Sequence, residues 1–399
     1  MNQTIRKRIE DINNGIVPEG YKQTPFGIFP CDWETDKKLN DLGAFDKGKG
    51  LPGDKMADEG VPCIGYGDIY MKYNYHFEKA QNFVDEKTAR ESQPIEKGTL
   101  LFTGTGETAE EIGKCVCYNG DETIYAGGDI ILFNSKEVNP LFLAYQQYQD
   151  FSLKRKAMFG QGHSVVHIQR GELAKLYTAF PKDKAEQGKI AEILMKWDEA
   201  VELQEQYIQK LELKSLAILK RVVKNLCGMK KKIKDCVTYH PSSLLIKHLK
   251  EVENGFPVYG ANEVALYIDK YNFDCNTVAI IKYGSGAGRV CYLTGKHSVL
   301  GTMAEMLPKE GVNIKFIYYV LKVFDFKKYI EISTTPNVYF EDYSEEKIVV
   351  PNLETQNRIV EGLNAFDDYI SLQKEKLAKI KEQRKAMQQY LLTGIVRVS

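Results

Sequence analysis

Four features of this chain have residue types and spacing that could do chemistry: two Gly-x-Gly turns, an Asn-Pro dipeptide, scattered histidines and scattered cysteines. The turns lie in Leu101-Phe102-Thr103-Gly104-Thr105-Gly106 and Ile281-Lys282-Tyr283-Gly284-Ser285-Gly286, with both glycines of the second 180 positions after those of the first. Glycine lets a backbone approach a phosphate closely, and Thr103, Thr105, Lys282 and Ser285 supply donors beside it. Neither turn has the full spacing of a dinucleotide or P-loop fingerprint, although Gly284 to Gly288 is followed by the cation Arg289. A DNA-contacting loop is the favoured reading, and a plain tight turn is the alternative. Asn139-Pro140-Leu141-Phe142 superficially resembles the Asn-Pro-Pro-aromatic motif of amino-methyltransferases, but the second proline is missing and no glycine-rich cofactor motif precedes it. Val138-Asn139 recurs as Val312-Asn313, ahead of Phe142 and Phe316. An Asn helix cap with Pro140 at the first helical position accounts for that pattern without a methyl-transfer site.

The six histidines (76, 163, 167, 240, 248 and 297) show no metal spacing. His163 stands out because Gly160-Gln161-Gly162-His163-Ser164 is a polar, Gly-flanked loop, suited to reading DNA or to lying idle on the surface. The eight cysteines form no C-x-x-C pair, which argues against zinc and fits reduced thiols in a cytosolic protein. No signal-peptide core and no apolar run of 18 residues occurs, so a cytoplasmic location and no membrane partner are expected. Formal net charge is zero, from 54 basic and 54 acidic residues. Composition therefore does not announce a nucleic-acid binder. The local runs Lys230–Lys234 and Lys374–Lys385 read as solvated faces or as basic patches.

The elements that must position these residues are written twice. Ile190, Leu194, Trp197, Val201, Gln204, Ile208, Leu211, Ser215, Ile218 and Val222 follow a heptad a/d pattern. So do Ile359, Leu363, Phe366, Ile370, Gln373, Leu377, Ile380, Arg384, Met387 and Leu391, each 169 positions after its counterpart (Ile190 to Ile359, Val222 to Leu391). A pattern sustained over about four heptads is a coiled-coil signal. Gln204 and Gln373 interrupt both seams in the same layer, as register-setting residues or as tolerated polar positions. Gly228 is placed to stop the first helix. The expected organisation is an N-terminal segment (1–28), a globular head (29–181), a long helix (182–228), a second head (229–351) and a closing helix (352–399). The N-terminal segment reads as a short polar helix followed by irregular chain. Thr99-Leu100-Leu101-Phe102 and Ile130-Ile131-Leu132-Phe133 read as strands.

The heads match more loosely than the helices. Pro62-Cys63-Ile64-Gly65-Tyr66 resembles Pro257-Val258-Tyr259-Gly260-Ala261, and Gly113-Lys114-Cys115-Val116-Cys117-Tyr118 resembles Gly288-Arg289-Val290-Cys291-Tyr292. Similar scaffolds with different loops suggest two related binding heads with different targets. Ile12-Asn13-Asn14-Gly15-Ile16-Val17 also echoes Leu391-Leu392-Thr393-Gly394-Ile395-Val396, as in a circularly permuted repeat.

In order, spacing and duplication the chain resembles the DNA-specificity subunit of type I restriction–modification systems. Pro18-Glu19-Gly20-Tyr21-Lys22 with Asp32-Trp33, the Gly160 to Val165 loop with Leu173 and Phe180-Pro181, Glu186-Gln187 with Ile190, Gln356 with Ile359, and Leu391 to Gly394 carry the likeness. One departure is the second head's terminal loop, Ser333 to Val338, which lacks the Gly-Gln-Gly character of the first. The resemblance implies an α+β protein of two pseudo-twofold-related recognition domains with two helices in an antiparallel coiled coil. It implies no catalysis by this chain itself. Double-stranded DNA, two methyltransferase subunits and motor–nuclease subunits are the implied partners, with S-adenosylmethionine, ATP and magnesium held by those partners. Each head would read half of a split target in the major groove, where all four base pairs are distinguishable.

By loop position and chemistry, the candidate contacts are Lys47, Lys49, Tyr66, Thr103, Thr105, Gln161, His163 and Ser164 in the first head. In the second they are Tyr259, Asn262, Lys282, Ser285, Arg289, Thr334 and Asn337. About 33 helical residues at about 1.5 Å each span roughly 50 Å, or roughly 15 base pairs, leaving a single-digit unread spacer. A type II relative, a stand-alone DNA-binding adaptor and, more distantly, an enzyme using the glycine-rich loops are the alternatives.

Overall fold

The computed structural model describes residues 3–51, 53, 56–162, 165–261, 263–330 and 335–398. Two helices dominate, Lys184–Lys224 (41 residues) and Leu353–Leu392 (40 residues). The chain divides into one compact unit of Met1–Glu202 with Ala378–Ser399 and a second of Leu203–Leu377, so each long helix contributes one end to each unit.

Within the first unit the helices meet through Arg384, whose Nε donates to Asp198 Oδ1 at 2.7 Å, and Arg397, just past the end of the second helix, donates from Nε to Glu186 Oε1 on the first at 2.6 Å. Within the second, Gln204 Nε2 donates to Gln373 Oε1 at 3.1 Å, and the Tyr207 and Tyr369 hydroxyls lie 2.9 Å apart. Rising numbers on one helix meet falling numbers on the other, so the pair is antiparallel in each unit. The buried stripe follows the heptads up to Ser215 and then slips: Leu219 is buried, whereas Ile218 is exposed. A straight helix drifts about 20° per heptad from a strict 3.5 repeat, and here the end of the helix turns Leu219 onto the core of the second head.

Both heads are α+β, built from two sheets in the same order. In the first head one sheet runs Gly43–Lys47, Ile130–Ser135, Thr99–Thr103, Cys115–Tyr118 and His76–Phe77. Its other sheet runs Asn82–Val84, Val61–Ile64, Ile124–Ala126 and Gln93–Ile95. The second head repeats the plan with Val237–Pro241, Met303–Pro308, Thr277–Ile281 and Val290–Leu293, and with Val264–Ile268, Phe256–Tyr259, Lys296–Val299 and Phe273–Asp274. The central pair of the second sheet is parallel in both heads. Wholly buried runs such as Thr99–Thr103 and Thr277–Ile281 are covered on both faces, which explains why they read as continuous apolar segments rather than alternating ones.

Each head is fixed to its helices by the same set of contacts. Asp183 and Asn352, 169 apart, accept backbone amides at the helix starts, from Ala185 and Thr355 at 2.9 Å each. Buried Gln187 accepts the Asn139 amide (2.7 Å) and donates to the Pro181 carbonyl (2.7 Å). Buried Gln356 does the same with Asn313 (2.8 Å) and Pro351 (2.9 Å). Asn139 and Asn313 cap their helices through Phe142 and Phe316, at 3.1 and 3.2 Å. Tyr145 then donates to Asp198 (2.6 Å) and Tyr319 to Asp367 (2.8 Å). Burial is the main cause that pushes both phenols up, and the adjoining carboxylates add to it.

The N-terminal segment forms the helix Gln3–Asn13 and then a hairpin, Tyr21–Thr24 against Gly27–Pro30, where the sequence reads as irregular. The Thr24 hydroxyl closes the turn on the Gly27 carbonyl at 2.7 Å. Gly15 and Gly394, matched in the sequence echo, both have positive φ (+73° and +69°), a backbone state that favours glycine. A β-carbon at Gly394 would lie 2.5 Å from Pro30 Cγ. No helix of the described chain is long and apolar enough to cross a membrane.

Candidate nucleic-acid interface

In the first head several strand ends converge. Gly43–Lys47 ends opposite Ile131, and Thr99–Thr103 ends opposite Ile130. Past that edge Thr105–Gly106 pairs with Val166–His167, and Gln161 closes a bridge to His167 (N–H to O, 2.9 and 2.8 Å). The result is a small ribbon projecting from the sheet, with Thr105 Oγ1 3.2 Å from His167 Nδ1. His167 and Gln161 are exposed, as are Lys47, Lys49 and Tyr66.

The glycines serve this packing. A β-carbon at Gly106 would meet the Tyr70 hydroxyl at 2.8 Å, and one at Gly162 would meet the Val165 carbonyl at 1.9 Å. Tyr70 supports the ribbon from behind, 2.8 Å from Thr103 Oγ1 and donating to the Thr105 carbonyl at 3.0 Å. Its phenol is pushed up by burial, and the Thr103 hydrogen bond opposes that shift. Beneath the ribbon Lys156 is fully buried, donates to the Gly113 carbonyl at 2.8 Å and is pushed down by burial to about 8.

The second head builds the same device. Gly104 donates to Asp129 O and accepts from Ile168, whereas Lys282 donates to Thr302 O and accepts from Val338. The backbone equivalence is therefore Gly104 with Lys282, an offset of 178, and the Gly-x-Gly turns are displaced by two residues rather than superposed. Tyr283 bridges Asn337 where Thr105 pairs with His167. Tyr283 and Tyr339 are exposed and meet edge to face at 6.4 Å between ring centroids.

The structure sorts the candidates expected from sequence. Lys47, Lys49, Tyr66, Thr105 and Gln161 lie at or beside the first tip, and Ser285 and Asn337 at the second. Asn337 Oδ1 is buried without a hydrogen-bond partner. Thr103 is not at the surface: it is fully buried with its hydroxyl on Tyr70, because it is the last residue of a covered strand. Tyr259 is half-buried, with its ring 6.2 Å from that of His297. Lys282 is 9% exposed, its ammonium 5.3 Å from the Tyr283 ring centroid, and burial pushes its pKa down. Arg289 donates to the Ala261 carbonyl. His163, Ser164, Asn262 and Thr334 lie outside the described residues. Sequence reasoning passed over His167, Tyr283 and Tyr339. Tyr283 was visible as a polar residue next to Gly284, and His167 as one five positions past Gly162.

Residues 30–213 and 228–382 match the family model for the type I restriction modification DNA specificity domain, once over each head and the helix that follows. The chain belongs to that family. Among solved structures it is similar to the S subunit of a type I restriction–modification system from M. genitalium. That match has a TM-score of 0.58 at 17% identity and covers 94% of this chain and 99% of that one. A second similar chain comes from work on complex assembly and conformational transition of the type I R-M system, with a TM-score of 0.59 at 13% identity, covering 92% of this chain and 99% of that one. At these identities the likeness concerns the fold.

Proposed function

We propose that this chain reads a two-part DNA sequence, one part with each head, and lends that specificity to methyltransferase and motor–nuclease subunits. The observation that carries the reading is the tip itself. The same backbone register presents Thr105 and His167 in one head and Tyr283 and Asn337 in the other. A constant frame with different hydrogen-bonding side chains is what two distinct half-sites require. In the first head the contact set is Lys47, Lys49, Tyr66, Thr105, Gln161 and His167; in the second it is Tyr283, Ser285, Asn337 and Tyr339. Gln and Asn suit adenine edges, and the lysines suit phosphate or guanine.

The first tip is not strongly cationic. Asp46, Glu107, Glu110, Glu111 and Asp129 are exposed beside or near the first one, which matches the zero net charge and supports a subunit that shares phosphate clamping with its partners. The long helices act as the spacer between half-sites, with Gln204 and Gln373 setting their register. Chemistry belongs to the partners, which hold S-adenosylmethionine, ATP and magnesium, in the cytoplasm.

Methylome sequencing of a host carrying this gene with a methyltransferase partner, against a deletion of this gene alone, tests the proposal. Loss of methylation at one bipartite motif is expected. An unchanged methylome, together with no DNA binding by the purified chain, would overturn it.

A further inference from the structure

We infer that Lys282 is a base-reading residue of the second head, and that the half-site read by this head contains a guanine whose O6/N7 edge receives its ammonium; this deepens the function proposed above and rests on it.

The frame of the head gives this position no structural reason to be a lysine. The Lys282 backbone stands where Gly104 stands in the first head, donating to Thr302 O as Gly104 does to Asp129 O and accepting from Val338 as Gly104 does from Ile168. The first head therefore completes the same frame with no side chain there. In the second the lysine stem is packed away, and the ammonium ends 5.3 Å from the ring centroid of exposed Tyr283. Among the described residues that ring is its one partner, with no ion pair and no hydrogen bond. Buried Lys156 of the first head, by contrast, donates to the Gly113 carbonyl. Burial pushes the Lys282 pKa down, and no neighbouring charge or hydrogen bond opposes the shift. An ammonium that has lost water without gaining an acceptor is costly to hold, and an acceptor arriving at the tip offsets that cost.

The surroundings select the acceptor. Lys47 and Lys49 of the first tip are exposed, and a mobile lysine suits a phosphate, which it meets as a point charge. The buried stem of Lys282 instead holds its ammonium in place, so little side-chain freedom is left to lose on contact. Its neighbours are donors too. Asn337, which bridges Tyr283, has its Oδ1 sealed away without a partner, so the amide turns its Nδ2 outward. Tyr283 and exposed Ser285 add hydroxyls. In the major groove guanine shows two acceptors and no donor, whereas adenine and cytosine each show an amino group, and thymine shows one acceptor beside a methyl. A fixed cation among donors matches the guanine edge.

The test uses the full chain in purified complex with its methyltransferase partner, and duplexes carrying its bipartite motif. The second head's half-site is the one left unimpaired when Gln161 and His167 are replaced with Ala. Each guanine of that half-site, on either strand, is replaced in turn by 7-deazaguanine, which loses the N7 acceptor but keeps its pairing. One such replacement is expected to weaken wild-type binding about tenfold. Lys282→Met, which keeps the stem, is expected to weaken binding of the intact duplex by a similar factor and to make that replacement silent, whereas Lys282→Arg should remain sensitive to it. A half-site without guanine, or 7-deazaguanine tolerated at every position by the wild type, would overturn the inference while leaving the proposed function standing; neither result depends on a variant that folds. A loss in Lys282→Met that is equal for every duplex and shrinks with added salt would make the lysine a phosphate contact, and base reading would fall. Absence of binding to any bipartite duplex by the wild-type complex would overturn both readings.

Discussion

Inside the second head, His297, Glu305 and Thr277 form a buried polar cluster whose energetic role can be predicted from the first head. His297 Nε2 lies 2.7 Å from Glu305 Oε1, Thr277 donates to the same oxygen at 2.9 Å, and His297 Nδ1 faces the Gly295 carbonyl at 2.8 Å. All three residues are at most 1% exposed. Strand register locates their counterparts. Tyr259 pairs with Val299 as Ile64 pairs with Ala126, which makes Ile124 the counterpart of His297. Ala304 pairs with Ile280 as Ile131 pairs with Phe102, which makes Leu132 the counterpart of Glu305. Ile124 and Leu132 belong to one apolar cluster. One framework thus accepts a polar pair or an aliphatic pair at the same two places. Glu305→Leu alone leaves the imidazole and the Thr277 hydroxyl facing an apolar group, and removing one member of a buried pair costs about 3–5 kcal/mol. Replacing both members with well-packed apolar residues is typically neutral or stabilising, by up to about 4 kcal/mol. His297→Ile with Glu305→Leu should therefore recover most of the loss, less about 1–3 kcal/mol for the orphaned Thr277 hydroxyl. Adding Thr277→Val should remove that remainder. Hydrogen exchange of the Thr277–Ile281 and Met303–Pro308 strands reads the local opening free energy, with Thr99–Thr103 of the first head as an internal reference. A double variant as unstable as Glu305→Leu alone would refute the equivalence of the two cores.

Inserting one heptad into each long helix adds about 10 Å, or roughly three base pairs. Methylome sequencing should then show a longer unread spacer with both half-sites unchanged, and an unchanged spacer would sink the ruler role. Replacing Gln161 and His167 together with Ala should impair only the half-site read by the first head, and equal losses at both half-sites in a binding titration would argue against separate heads. Gly394→Ala forces a β-carbon into Pro30 at a positive φ, which should cost about 1–3 kcal/mol and appear as faster exchange over residues 391–398; unaltered exchange there would contradict it. Lys156 has its pKa depressed by burial to about 8 from the ordinary 10.5, so the unfolded chain holds a proton that the folded chain releases between those values. Stability therefore rises with pH across that window, by about 3 kcal/mol at most. Lys156→Met should be the more stable protein at pH 7, with its advantage over wild type shrinking toward pH 10.5, and a pH-independent difference in urea unfolding would count against this.

The helices were legible because a period repeated over about four heptads is a long-range signal that single substitutions do not erase. Asn139 and Asn313 were legible as caps for a local reason: the side chain needs only the amides that follow it. What stayed hidden depends on contacts between distant segments. Ile218 fits the heptad, but the end of the helix packs on a head, so Leu219 takes the buried place. The stretch Tyr21–Pro30 looks irregular because Pro25 and Gly27 mark a turn without announcing the strands beside it. Thr103 has the chemistry of a DNA contact, yet the Tyr70 hydroxyl claims it from 33 residues away. Lys156 sits in a helix of polar composition that gives no hint of full burial. The glycine turns align by eye at an offset of 180, whereas the hydrogen bonds at the strand ends align the frames at 178, because local identity is weak evidence of register.

The pattern of agreement between the two halves bears on function more directly than any single residue does. Gln187 and Gln356, and Asp198 and Asp367, recur at one spacing and make the same contacts twice, the glutamines with an Asn amide and a Pro carbonyl and the aspartates with a Tyr hydroxyl. A head held by buried hydrogen bonds leaves little freedom at those positions, since a lost partner strands a polar group away from water. The inter-sheet cores are less constrained: Ile124 and Leu132 stand in one and His297 and Glu305 in the other, because a core can be filled in more than one chemically complete way. The tips diverge most, Thr105 and His167 against Tyr283 and Asn337, although their backbone bridges are the same. Constraint thus weakens from the helix clasp to the core to the tip. That gradient is expected when the fixed part positions the head and the variable part meets the target, and a target with two unlike halves requires two unlike tips.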